Sequence, residues 1–144
     1  MKQGTIQQII GPVVDVLFKE EPPKIFSALT VKNGENELTL EVQQHLGGKV
    51  ARCIAMGGTD GLARGAEVHD TGKPITVPVG KETLGHIFDV LGRPIDGTKE
   101  IKTKKEYPIH REAPEFTDQS TKTEVFETGI KVIDLIAPII KGGK

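Results

Sequence analysis

Ile9-Ile10-Gly11-Pro12-Val13-Val14-Asp15-Val16-Leu17-Phe18 decides the fold. Its β-branched and aromatic residues favour a pleated, half-buried surface over a helix. Gly11-Pro12 interrupts the run and predicts a bulge or sharp bend between two strand pieces within residues 6–18. With Asp15 inside it, the run is too short to span a bilayer. Further strand signals follow. Ala28-Leu29-Thr30-Val31 is a short strand, and Asn33-Gly34 marks a hairpin turn that needs positive φ. Leu38-Thr39-Leu40-Glu41-Val42 alternates apolar and polar with period two. Val50 to Met56 follows Gly47-Gly48, and Ala66 to Gly72 and Ile75 to Val79 complete the series. About six short strands at regular spacing predict a small closed barrel or a sandwich. Closure removes edges that would otherwise pair with other chains.

From Gly80 the period changes. Leu84, Ile87, Phe88 and Leu91 stand at i, i+3, i+4 and i+7 and predict a helix over 81–91, with Gly92 as its stop and Pro94 beyond. Residues 96–124 are polar and carry Lys102-Thr103-Lys104-Lys105, Pro108, Pro114 and Thr117 to Thr121. They read as a long surface crossover, packed along something larger than this chain. A second helix is expected over 128–137, with Thr128 as N-cap and Pro138 as stop. Ile130, Ile133, Leu135 and Ile136 leave it little polar face, so it should be buried. A buried Asp134 would then need a partner, which a further domain or a neighbouring subunit could supply, and its role is read as structural.

Composition narrows the function. The 144 residues are 36% hydrophobic and 27% charged, an ordinary soluble globular balance. Nineteen basic and 20 acidic residues leave a formal net charge of -1, which is no footprint for nucleic acid. The start, Met-Lys-Gln-Gly-Thr, has neither the apolar core of a signal peptide nor transit-peptide character, so a cytosolic chain is expected. Cys53 is the single cysteine; its alternating surroundings suggest a small buried hydrophobe. His45, His69, His86 and His110 are scattered without metal-ligand spacing. Lys102 to Lys105 reads as a solvated run, Gly57-Gly58 with Asp60-Gly61 as plain turns, and His110-Arg111 near Glu112 as structural pairing.

Five stretches carry a resemblance. Gly4 to Val16 looks like the opening of beta subunits of F-type ATP synthases, and Arg52 to Gly65 is similar to that family's strand and turn. Pro78 to Asp96, Pro108 to Phe116 and Glu127 to Pro138 resemble later family blocks, in order and with the family's spacing. His86 departs from the pattern, which has Arg there. Leu135 to Lys144 resembles beta rather than alpha subunits, and the long insertion of vacuolar-type catalytic subunits does not follow the strand region.

The resemblance implies a mainly β fold: a six-stranded N-terminal barrel over residues 1–77, followed by the incomplete start of an α/β P-loop nucleotide-binding domain over 78–144. It implies the catalytic subunit of a proton-translocating rotary ATP synthase. Barrels of alternating alpha and beta subunits would form a hexamer crown far from the membrane, with a gamma subunit in the complete assembly. The expected place is the cytoplasmic face of a bacterial membrane, reached only through the complex. Magnesium with ATP or ADP would belong to the complete subunit. The G-x-x-x-x-G-K-[ST] loop is not found: Gly57 to Arg64 has Leu62-Ala63 where Gly-Lys should stand, and nothing follows Gly142-Gly143-Lys144. The chain is therefore read as cut before that loop and inactive alone. No catalytic, cofactor-binding or metal-binding residue is assigned. The competing reading is a freestanding small-barrel binding module without ATPase activity, since barrels host many functions.

Overall fold

The computed structural model describes residues 2–99, 101–120 and 122–142. Met1, Glu100, Thr121 and the terminal Gly143-Lys144 of the Lys-Gly-Gly-Lys run lie outside the described residues. The chain divides into two compact units, Met1–Arg111 and Glu112–Lys144.

Six strands of the first unit form a closed antiparallel barrel in the order β1-β2-β5-β4-β3-β6. They are β1 (Gln3–Ile10), β2 (Val13–Phe18), β3 (Ser27–Asn33), β4 (Asn36–Gly47), β5 (Val50–Ala55) and β6 (Glu67–Pro74). The barrel closes where β1 meets β6, from Gln3 opposite His69 to Thr5 opposite Glu67. Of the two outcomes that strand spacing left open, the structure is the barrel.

The decisive stretch behaves as its alternation dictates. Val14, Val16 and Phe18 point inward and are buried, while Leu17 faces out. Ile10 pairs with Val13, so Gly11-Pro12 is a two-residue hairpin turn, with Gly11 at φ 56°. A register shift between Ile6 and Gln8 places a bulge at Gln7, which bends β1 around the barrel. Leu29, Leu40, Val42 and Val68 fill the interior from the other strands. Gly4 lies where β1 runs between Phe18 and Val68, and a Cβ there would sit 2.7 Å from Val16 Cγ1. The β3–β4 turn is Gly34-Glu35 rather than Asn33-Gly34, because Asn33 pairs with Asn36. At the β4–β5 turn, Gly48 and Lys49 both have positive φ, the geometry of a type I′ hairpin.

Beyond the barrel the structure departs from several expectations. Residues 75–79 do not supply a barrel strand. β7 (Thr76–Val79) pairs instead with β8 (Lys105–Pro108), a strand inside the stretch read as an irregular crossover. The helix expected over 81–91 does not form; only a 3-10 turn spans Lys81–Thr83. Two causes are local. Gly85, inside the expected span, takes φ of 82°, outside the helical region. The Asp89 carboxylate accepts from the Leu91 and Arg93 amides at 2.9 and 2.8 Å, so a side chain claims the groups a helix would need. The apolar period there is real, but turn chemistry outcompetes it.

In the second unit, β9 (Val125–Phe126) pairs with β10 (Ile139–Ile140), and α1 spans Lys131–Ile136. The N-cap is Ile130, with no side-chain cap bond, rather than Thr128. The expected burial is also overturned: Val132, Leu135 and Ile136 are 62%, 85% and 76% exposed. One helix and two short strands offer no opposing layer to cover them.

Candidate functional site

Four places gather polar or titratable groups, and each follows from local structure. On the barrel's outer face, Asp15 of β2 stands directly opposite Arg52 of β5. Arg52 Nε donates to Asp15 Oδ1 at 2.8 Å and Nη2 to Oδ2 at 2.9 Å, a bidentate pair. Asp15 is only 5% exposed although it faces outward. The Arg52 hydrogen bond outweighs burial and holds the Asp15 carboxyl below the usual range; Asp15 in turn raises the guanidinium. The pair is structural glue across two strands.

The second place is Glu41. Its neighbours Leu40 and Val42 point into the barrel, so Glu41 points out, yet it is 2% exposed. A register shift between Val42 and Gln44 marks a bulge at Gln43, whose Nε2 reaches back to Glu41 Oε1 at 2.6 Å. His110 Nε2 lies 3.0 Å from Oε2 and 3.1 Å from Oε1. The pairing expected around His110 and Glu112 thus goes to a carboxylate 69 residues earlier, and Arg111 rests over the Tyr107 ring at 4.1 Å. No local sequence signal marked Glu41, since period-two alternation predicts a solvent-facing residue there.

The third place is the turn region at residues 86–98. His86 Nδ1 lies 2.7 Å from Asp96 Oδ2, and the Ile87 amide donates to the same oxygen at 3.4 Å. The Thr98 amide and hydroxyl both donate to Asp96 Oδ1. These bonds, those of Thr98 first, hold the Asp96 carboxyl far below the usual range. His86, the position that departs from the resembled pattern, here closes a loop.

The fourth is a cleft of about 740 Å³ beside the β7–β8 hairpin, lined among others by Lys73, Thr76, Arg93, Lys102, Thr103 and Glu106. Thr76 Oγ1 donates to Glu106 Oε2 at 2.8 Å, and Lys73 Nζ lies 3.7 Å from the same oxygen. Lys102 of the basic run reaches this cleft, while Lys105 sits in exposed β8. The lining carries no His, Cys or Ser, so it offers no nucleophile–base pair of those types.

The other singled-out residues stand apart. Cys53 is fully buried on β5, and burial, with Asp15 adding to it, pushes its thiol up to about 12. Gly57 to Gly61 form turns: Leu62 N donates to Thr59 O, and Thr59 Oγ1 donates to Gly11 O at 2.9 Å. His45 Nε2 contacts Pro23 O at 2.7 Å, and His69 lies on β6. In the second unit, Asp134 finds its partners locally and not in another domain. It accepts from the Thr128 hydroxyl at 2.6 Å and from the Thr128 and Gly129 amides at 3.0 Å, which depresses its pKa, the hydroxyl bond first. Thr128 therefore anchors the start of α1 twice: its hydroxyl donates to Asp134 while its oxygen accepts from the Ile130 amide at 3.1 Å. Among the described residues, no three His, Cys, Asp or Glu side chains gather as a metal site, and no helix is long and apolar enough to cross a membrane.

The fold defines a closed six-stranded antiparallel barrel domain, extended by the β7–β8 pair. Residues 6–72 match the family model described as ATP synthase alpha/beta family, beta-barrel domain. The match runs from Ile6 on β1 to Gly72 on β6 and ends before β7.

Proposed function

We propose that this chain is the N-terminal portion of the catalytic beta subunit of an F-type, proton-translocating ATP synthase, and that its barrel serves assembly of the alpha/beta hexamer. The observation that carries the reading is the coincidence of the matched stretch, residues 6–72, with the closed barrel. Beta rather than alpha rests on the resemblance of Leu135 to Lys144. Exposed apolar residues on β9 and α1, with Phe126 at 53% and Leu135 at 85%, fit a surface that packs in a larger α/β layer. On this reading the chain acts at the cytoplasmic face of a bacterial membrane through its complex. Magnesium and ATP or ADP bind in the complete subunit, and none of the 144 residues carries the chemistry.

The test is co-expression with an alpha subunit, followed by size-exclusion chromatography with light scattering. A mixed oligomer is expected. A chain that stays monomeric with the alpha subunit at micromolar concentration, behaving as a freestanding module, overturns the assembly role. Titration with labelled ATP should show no magnesium-dependent binding, and submillimolar affinity contradicts the reading.

A further inference from the structure

Glu41 poses a physical question that the barrel does not answer. Burying a carboxylate away from water is costly unless hydrogen bonds replace its hydration. The barrel itself supplies Gln43 Nε2 at 2.6 Å. The other partner, His110, comes from the segment that follows β8. Its ring is stacked on Phe26, with centroids 4.0 Å apart and planes 22° from parallel. Phe26 has φ 68°, a left-handed conformation that a bulky residue rarely adopts, and such outliers persist where surrounding contacts over-determine them. The Phe26 amide donates to Val42 O at 2.7 Å, one residue from Glu41, which fixes the ring that faces His110. The same segment makes one backbone bond to the end of the barrel region, Ile109 N to Ile75 O at 3.0 Å.

These attachments are few, and they are separate from the barrel's own ladder. The core cluster draws wholly on residues up to 68. Exposure is also one-sided: the Glu41 side chain is 3% exposed and the His110 side chain 41%. Water can therefore replace His110 over Glu41 when the segment lifts, with no strand of the barrel opening.

We propose that Glu41 and His110 are the two halves of a latch that holds residues 109–111 on the barrel's outer face, and that this segment opens as a unit while the barrel stays closed. Phe26 positions His110 in the shut state. Opening turns the outer face of β4 from a covered surface into one that presents an accessible carboxylate. Such local opening lies well below global unfolding in free energy, as expected for a segment with few buried contacts.

Hydrogen exchange of the Ile109 amide reads the latch directly, with the Val42 and Cys53 amides as barrel controls. H110A and E41A in the full chain should each speed Ile109 exchange roughly tenfold, the worth of one hydrogen bond to a charged group. The double variant should exchange no faster than H110A alone, because once His110 is gone E41A removes no further contact of the segment. Barrel amides should keep their wild-type rates. Unchanged Ile109 exchange, additive effects in the double variant, or equal acceleration of the barrel amides each overturn the latch. Should H110A fail to fold by circular dichroism, H110F, which keeps a ring against Phe26 and removes the polar contact to Glu41, decides in its place by the same readouts.

Discussion

Replacing Gly4 by alanine tests the packing of the barrel at a single atom. The added Cβ would lie 2.7 Å from Val16 Cγ1, 3.0 Å from Leu17 O and 3.0 Å from Phe18 Cε1. Favourable carbon contacts fall at about 3.5–4.0 Å, so the closest contact is about 1 Å too short. The neighbours cannot easily retreat: Val16 is fully buried, Phe18 is 2% exposed, and Leu17 O is backbone. Overpacking of this kind costs about 1–3 kcal/mol. Alanine also reduces the freedom of the unfolded chain, which offsets about 0.4–1 kcal/mol. A net loss of about 1–2 kcal/mol is expected. Urea unfolding followed by far-ultraviolet circular dichroism measures it. With a slope of about 1.5 kcal/mol per molar, the midpoint should fall by about 1 M. Gly58 is the control: nothing lies within 4 Å of its Cβ position, so G58A should be neutral or slightly stabilising. If G4A matches the wild-type midpoint, strand β1 does not pack against β2 as described, and the reasoning fails.

R52A should destabilise the chain by about 2 kcal/mol, because it leaves the nearly buried Asp15 carboxylate without its bidentate partner; an unchanged urea midpoint would refute this. D15N with R52A should recover part of the loss, since no charge then remains to be buried. Cys53 should react with a disulfide reagent at least about a hundredfold more slowly in the native chain than in urea, given its burial and a thiol pushed up to about 12; stoichiometric native labelling at pH 8 would count against the closed barrel. Asp134 has a depressed pKa, so the stability it contributes is present above the unfolded value near about 3.9 and is lost as pH falls below it. The Gly129 amide should therefore exchange faster, after correction for intrinsic rates, below about pH 4. D134N should lose the protection at neutral pH, and a pH-independent wild-type protection would contradict the assignment.

The barrel was legible because its determinants are local. Val14, Val16 and Phe18 alternate with outward residues, and Gly11-Pro12 and Gly47-Gly48 mark turns by their own conformational needs. What local pattern cannot show is the partner of a strand. Residues 75–79 read correctly as extended, but pairing with Lys105–Pro108 instead of the barrel depends on a return of the chain about 30 residues later. The period at Leu84, Ile87, Phe88 and Leu91 pointed to a helix, with Gly92 as its stop, and four matches outweighed Gly85 in that reading. In the folded chain Gly85 and Asp89 win, since a left-handed glycine and an amide-capping carboxylate each break the helical ladder. Asp134, read as structural, has nearer partners than the further domain or subunit considered for it: they are six and five residues back, inside the same turn.

Glu41 shows why the polar sites were the least legible part. An acidic residue in a period-two strand reads as solvated, and in β4 it is covered. Covering required three things that no window of sequence contains together: a bulge that turns Gln43 back, a left-handed Phe26, and His110 brought from beyond β8. Each is weak alone. Joined at one carboxylate they become mutually dependent, because the residue that needs hydrogen bonds is the one that orders the groups supplying them. A barrel built on alternation leaves its outer face free to acquire such contacts without disturbing the core. That freedom is what lets one closed sheet serve as a fixed base to which a following segment is attached.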